Sequence, residues 1–207
     1  MCKNVLSVVF GANGSGKTTL ARNVLGERIT EHKCILGTYT LSDNSILTHA
    51  RDGSEYRRKE LVALGKYSNV CGGVDSVHPL SNAYRLASGS QDMFPGRSVL
   101  MESCILSTIF STPLKFYLEM KYQKGFDVEI FLLYVSEKEA LRRVFARNGG
   151  KEIKADCVCR KVERAARTFS ALKKLGEFRC NVIDTVGRSS EEVFDKFMEL
   201  SNLYERN

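Results

Sequence analysis

Gly11-Ala12-Asn13-Gly14-Ser15-Gly16-Lys17-Thr18 lies directly behind an apolar run, Val5–Phe10, and ahead of Leu20, Val24 and Leu25 at helical spacing. The stretch fits G-x-x-x-x-G-K-[ST] in the strand–loop–helix setting that this pattern needs. Its glycines permit a tight turn with backbone N–H groups pointing at phosphate oxygens, and the helix start behind it adds partial positive charge. Lys17 is expected to reach the β- and γ-phosphates, and the Thr18 hydroxyl to hold Mg²⁺. Gly11, Asn13, Gly14, Ser15, Gly16, Lys17, Thr18 and Thr19 are the candidate ATP-binding residues. The pattern specifies a nucleoside triphosphate and leaves open what its energy does.

Working outward, apolar and β-branched runs read as strands over Cys34–Leu41, Ser98–Met101, Glu129–Val135 and Arg179–Asp184. Helical spacing covers Lys17–Glu27, Glu55–Leu64, Pro79–Ala87, Ile105–Gln123, Glu137–Asn148, Asp156–Leu175 and Ser189–Leu203. Asp156 reads as an N-cap, and Ser189 or Ser190 before Glu191 and Glu192 as another helix start. Strands alternating with helices predict an α/β protein of P-loop NTPase fold, with a mostly parallel sheet covered on both faces. Residues 1–207 are expected to form a single domain.

The chain has 207 residues and a net charge of +7. Its composition is that of a globular protein, and no apolar run approaches the ~18 residues that cross a bilayer. The apolar stretch near the N-terminus reads as a strand and not as a signal peptide. Seven cysteines, odd in number and without a CxxC pair, suit a reducing compartment, so a cytoplasmic protein is expected. Cys157 and Cys159 lack the second ligand pair of a zinc site. The excess charge is local. From Arg142 to Lys174, eleven basic residues face three acidic ones, a net +8, and the rest of the chain carries −1. Such a concentration is either a solvated helical face or an anion-binding surface.

Three segments resemble the P-loop kinases of the nucleotide-kinase-like group, which includes nucleoside, nucleoside-monophosphate and polynucleotide kinases. They are GANGSGKTTLA (Gly11–Ala21), IFLLYVSEKEALRRVFAR (Ile130–Arg147) and VIDTVGRSSEEV (Val182–Val193). The likeness is architectural over nearly the whole chain, and the middle third matches no member closely. It implies that Arg142, Arg143 and Arg147 lie in a helix–lid region of about 142–175. There such kinases use arginine to neutralise charge on the transferred phosphoryl group. Arg143 and Arg147, at i and i+4, share a helical face, and Gly149-Gly150 would let the lid move. The third segment corresponds to the loop bordering the base of ATP.

A kinase of this group needs a carboxylate beside the acceptor or the metal. Glu102 follows Ser98-Val-Leu-Met at the C-terminal edge of a strand, where ligands bind in such sheets. It is a candidate base and Mg²⁺ ligand, although deoxynucleoside kinases carry apolar-Glu-Arg-Ser where this chain has Leu100-Met-Glu-Ser-Cys104. Asp75, after the paired Gly72-Gly73, is the second candidate base, and Asp43 the third. Lys66 and Tyr67 are candidates for contact with an acceptor phosphate and base. One reading is phosphoryl transfer to a nucleic acid, at a strand end or at a hydroxymethylated base as in phage 5-hydroxymethyluracil DNA kinases. A second is transfer to a free nucleoside or nucleotide. A non-kinase NTPase or switch is a third reading. The +8 segment favours the polymer, because a polyanion gains affinity by counterion release from several phosphates.

Overall fold

Val5–Phe10 (β1) carries no charge and is buried along its whole length, as a central strand covered on both faces requires. The computed structural model of the protein describes residues 4–26, 29–42, 47–49, 55–58, 61–68, 72–107 and 110–206. After β1 come α1 (Lys17–Leu25), β2 (Ile29–Cys34), β3 (Gly37–Ser42), β4 (Leu47–His49), β5 (Glu55–Arg58) and β6 (Leu61–Leu64). A 3-10 turn, Val74–Ser76, leads to α2 (Leu80–Ser88), α3 (Ser90–Met93) and β7 (Ser98–Ser103). A second 3-10 turn, Ile105–Ser107, precedes α4 (Ser111–Tyr122), β8 (Asp127–Tyr134), α5 (Glu137–Arg147) and α6 (Ala155–Leu175). The chain continues through β9 (Arg179–Asp184), α7 (Ser190–Leu200) and β10 (Tyr204–Arg206).

The protein is α/β. Its main sheet has seven strands in the order β2-β3-β6-β7-β1-β8-β9. The five from β6 to β9 run parallel, and β2 and β3 are antiparallel additions at one edge. A small antiparallel sheet, β10-β5-β4, stands apart from it. Alternate residues of β1 feed two cores. Leu6, Val8 and Phe10 pack with Leu86, Phe116 and Phe169 of α2, α4 and α6. Val5 and Val9 pack with Leu20, Val24, Val193 and Phe197 of α1 and α7. Helices therefore cover both faces, and the sheet is mostly parallel, as expected.

Four expectations are corrected. Glu55–Leu64 is not a helix but β5 and β6: the four buried residues of β6 are a short apolar strand, which the neighbouring charges disguised. Cys34–Leu41 is not one strand but the end of β2 and most of β3, folded back as a hairpin, so strand–helix alternation fails between α1 and α2. Ile105–Gln123 divides into a 3-10 turn and α4, whose Pro113 sits in the first turn, where its missing N–H costs nothing. Asp156 lies inside the first turn of α6 and Lys154 is the N-cap; the carboxylate still faces the positive helix end.

The expected start of α7 is present as a capping box between Ser189 and Glu192. The helix ends at Leu200, short of Leu203, because the chain turns onto buried Glu129. That carboxylate accepts from the Ser7 and Ser201 hydroxyls and from Asn202 N at 3.1 Å. Among the described residues, no helix is long and apolar enough to cross a membrane.

Candidate active site

The parallel strands bring the loops after β1, β6, β7, β8 and β9 to one edge, where open α/β sheets bind ligands. In the loop after β1, Gly14 and Gly16 hold left-handed backbone, with φ of 81° and 88°. A Cβ on Gly11 would stand 2.6 Å from the Leu133 carbonyl, so the chain can pass there only as glycine. Lys17 Nζ is largely buried and donates to the Ala12 carbonyl at 2.9 Å, inside its own loop. Ser15 Oγ is buried with no hydrogen-bond partner among the described residues. An orphan hydroxyl of this kind costs about 1–3 kcal/mol unless an acceptor satisfies it. This ring of donors suits an incoming polyanion.

A cleft of about 520 Å³ opens above the loop. Asn13, Gly14, Ser15, Gly16, Lys17, Thr18 and Thr19 line it, and so do Asp75, Glu102, Arg143 and Arg147. Of the described candidate site residues, Gly11, Lys66 and Tyr67 do not line this cavity and the rest do. Arg22, Arg142 and Arg188 bring the cationic side chains in the lining to six.

Glu102 is the last residue but one of β7 and is 1% exposed. Its carboxylate accepts from Thr18 Oγ1 at 2.8 Å. Burial raises its pKa to about 7; Lys17 and the Thr18 hydroxyl pull it down, and Asp75 pushes it up. The folded state therefore holds a proton that the unfolded chain has released above its ordinary carboxylate pKa. Stability from this group is fully present below pH about 4.5, falls as pH rises, and is lost above about 7. Between pH about 5.5 and 7 the loss is about 2 kcal/mol. Thermal unfolding of the nucleotide-free protein across that range is expected to show this slope. Glu102→Gln is expected to flatten it; an identical slope in the variant would assign the effect elsewhere.

Asp75 sits in the 3-10 turn behind Gly72-Gly73. It accepts from the Ser103 hydroxyl and from Cys104 N at 3.2 Å, which fixes its carboxylate beside the end of β7. The glycines before it make a close approach, but to protein. A Cβ on Gly73 would lie 2.4 Å from the Glu102 carbonyl, and one on Gly65 only 1.8 Å from the Gly73 carbonyl. Tyr67, read from sequence as a base contact, is instead buried in the core next to α1, its hydroxyl without a hydrogen-bond partner among the described residues. Glu31 holds the turn there, accepting from Tyr67 N at 2.7 Å and Ser68 N at 2.8 Å. Burial alone would raise the Glu31 pKa, but these donors bring it below its ordinary value. Asp43 lies outside the described residues.

Arg143 and Arg147 share the face of α5 that looks into the cleft. The Arg143 guanidinium is a clamp. It donates to the Gly14 carbonyl at 3.2 Å, to Thr185 Oγ1 at 3.1 Å, to the Thr185 carbonyl at 2.6 Å and to Glu139 at 2.7 Å. It thereby joins the loop after β1 to the loop after β9. Arg142 makes a bidentate pair with the same Glu139, and these two arginines bring the Glu139 pKa down to about 2.

Sequence reasoning did not single out Arg22 or Arg188. Arg22 is one helical turn beyond Thr18 on α1, and that i, i+4 spacing was the available signal. Arg188 falls inside the Val182–Val193 segment without a distinguishing neighbour.

A comparison with curated proteins gives no match. The profile of the 5-hmdU DNA kinase family matches residues 2–194, nearly the full length of the chain. The family match and the phosphate-suited cleft agree: this chain belongs to the 5-hmdU DNA kinase family and is a kinase, a phosphotransferase.

Proposed function

We propose that this P-loop NTPase-type domain, formed by residues 1–207, transfers the γ-phosphoryl group of ATP to the hydroxymethyl oxygen of 5-hydroxymethyluracil in DNA. The observation that carries the reading is the meeting, in one cleft, of a glycine-rich anion loop, six cationic side chains and two carboxylates, one from β7 and one from the 3-10 turn after β6. A hydroxyl acceptor needs a carboxylate to orient it and take its proton beside one that serves the metal, and the cleft lining offers both.

Gly11 to Thr19 hold the phosphates, with Ser15 Oγ and Lys17 Nζ turning from their present surroundings to phosphate oxygens. Thr18 and Glu102, already in contact, are the pair that would hold Mg²⁺; the ion would offset charge on the phosphate oxygens. Asp75, partly exposed and fixed by two donors, orients the acceptor hydroxyl and takes its proton. The oxygen–phosphorus bond forms as the bond from γ-phosphorus to the bridging oxygen of the leaving diphosphate breaks. Arg147 faces the transferring group. Arg143 positions Gly14 and Thr185. Within the lid region of 142–175, movement belongs to residues 148–154, where Gly149 and Gly150 have φ of 65° and 76°. From Ala165 onward α6 is part of the main core.

The test is transfer of labelled γ-phosphate. Label is expected on DNA containing 5-hydroxymethyluracil and not on the same DNA containing thymine. Efficient labelling of free nucleosides or nucleotides with none on DNA would overturn the polymer acceptor. ATP turnover without any phosphorylated product would overturn the transferase step.

A further inference from the structure

Glu102 at 1% exposure lies too deep for a duplex about 20 Å across, so only a nucleotide turned out of the stack can enter the cleft. The remaining DNA has to rest on the surface beside it. Helix α6 runs there: Thr168 Oγ1 donates to the Ser107 carbonyl at 2.8 Å, in the turn that follows Ser103 and Cys104.

At ~100° per residue, Arg160, Arg164, Arg167 and Lys174 fall within about 80° of arc. All four are exposed. Val158, Ala165, Phe169 and Leu172 form the opposite, buried face. Arg167 pairs with Glu163 at 3.3 Å, at the solvent surface, where such a pair is worth little and exchanges readily for phosphate. Arg164 and Lys174 have no ion-pair partner among the described residues. From Arg160 to Lys174 the row is about 21 Å long, the rise of about six phosphates of one DNA strand.

We propose that this face of α6 is a track for the DNA backbone, distinct from the arginines that serve ATP in the cleft. The proposal rests on the DNA-kinase reading above. The +8 segment thus divides in two: α5, with Arg147 facing the transferring group and Arg143 positioning Gly14 and Thr185, serves the donor side, and the outer face of α6 serves the polymer.

The test compares wild type, Arg164→Glu/Lys174→Glu and the charge-conserving Arg164→Lys/Lys174→Arg. Binding to a plain thymine-containing duplex is titrated against salt, and transfer is measured on 5-hydroxymethyluracil DNA. The reversed variant is expected to bind on the order of tenfold more weakly or worse. Its log affinity–log salt slope should be shallower by about 2, since each lost phosphate contact removes ~0.9. Its KM for DNA rises, with KM for ATP and kcat at saturating DNA unchanged, and the conserving variant behaves as wild type. Unchanged duplex affinity and slope would overturn the track and leave α6 as a solvated face or a docking face for an acidic protein. A matching rise in KM for ATP would also overturn it, as damage to the cleft. Wild type that binds duplex but never labels 5-hydroxymethyluracil DNA would overturn the proposed function instead, with the binding comparison still deciding the track.

Discussion

Alanine at Lys17 is expected to lower phosphoryl transfer by on the order of 10³-fold or more, with the fold intact. Two effects combine. The first is loss of a cation inside the phosphate loop, where low exposure leaves little solvent to screen its charge. The second passes through Glu102. The Lys17 charge is the largest influence holding the Glu102 pKa down against burial, so without it this carboxyl stays protonated to higher pH and serves a metal less well. The fold loses little, because Ser15 N still donates to the Ala12 carbonyl at 3.2 Å. Lys17→Arg should not rescue, since the buried site near the Ala12 carbonyl is shaped for an ammonium. Labelled transfer and thermal unfolding read the two sides separately. Transfer within tenfold of wild type in a folded Lys17→Ala protein would remove the phosphate-loop assignment.

Glu102→Gln is expected to lower kcat by about 10²–10³-fold, and Asp75→Asn by a similar factor, through different causes. Glutamine keeps an acceptor for Thr18 Oγ1 but cannot carry the negative charge that draws a cation. Raised Mg²⁺ concentration should therefore recover part of the Glu102→Gln loss. Asparagine at 75 keeps an acceptor for Ser103 but cannot take a proton, so Mg²⁺ should recover nothing. ATP affinity should fall less than kcat in both. Equal recovery in both variants, or a collapse of ATP binding in both, would exchange or dissolve the two roles.

The phosphate loop was legible because its chemistry is local: glycines, lysine and threonine act within eight residues, between a strand and a helix whose periodicities are plain. Strand β8 and helices α5 to α7 were legible for the same reason. The hairpin β2–β3 and strands β4 to β6 were not, because short strands among charged residues take their identity from pairing with distant neighbours. The carboxylate side of the cleft was half legible. Glu102 and Asp75 both border the cleft, but the contact of Glu102 with Thr18 spans 84 residues of sequence and has no local signature. The glycines at 72 and 73 announced a close approach without saying to what. Arg143 was placed at the right edge by its helical face, and its clamp across Gly14 and Thr185 is a tertiary fact.

The same glycines set a pattern of mutational tolerance. Gly65 and Gly73 touch no substrate in the proposed reaction, yet each lies within 2.4 Å of a backbone carbonyl once a methyl group is added. In a saturation library selected for activity, these two positions should be as intolerant as Lys17, while the exposed arginines of α6 tolerate lysine. A map of constrained positions would then trace a seam of bare backbone between the two carboxylates, alongside the side chains that carry the chemistry.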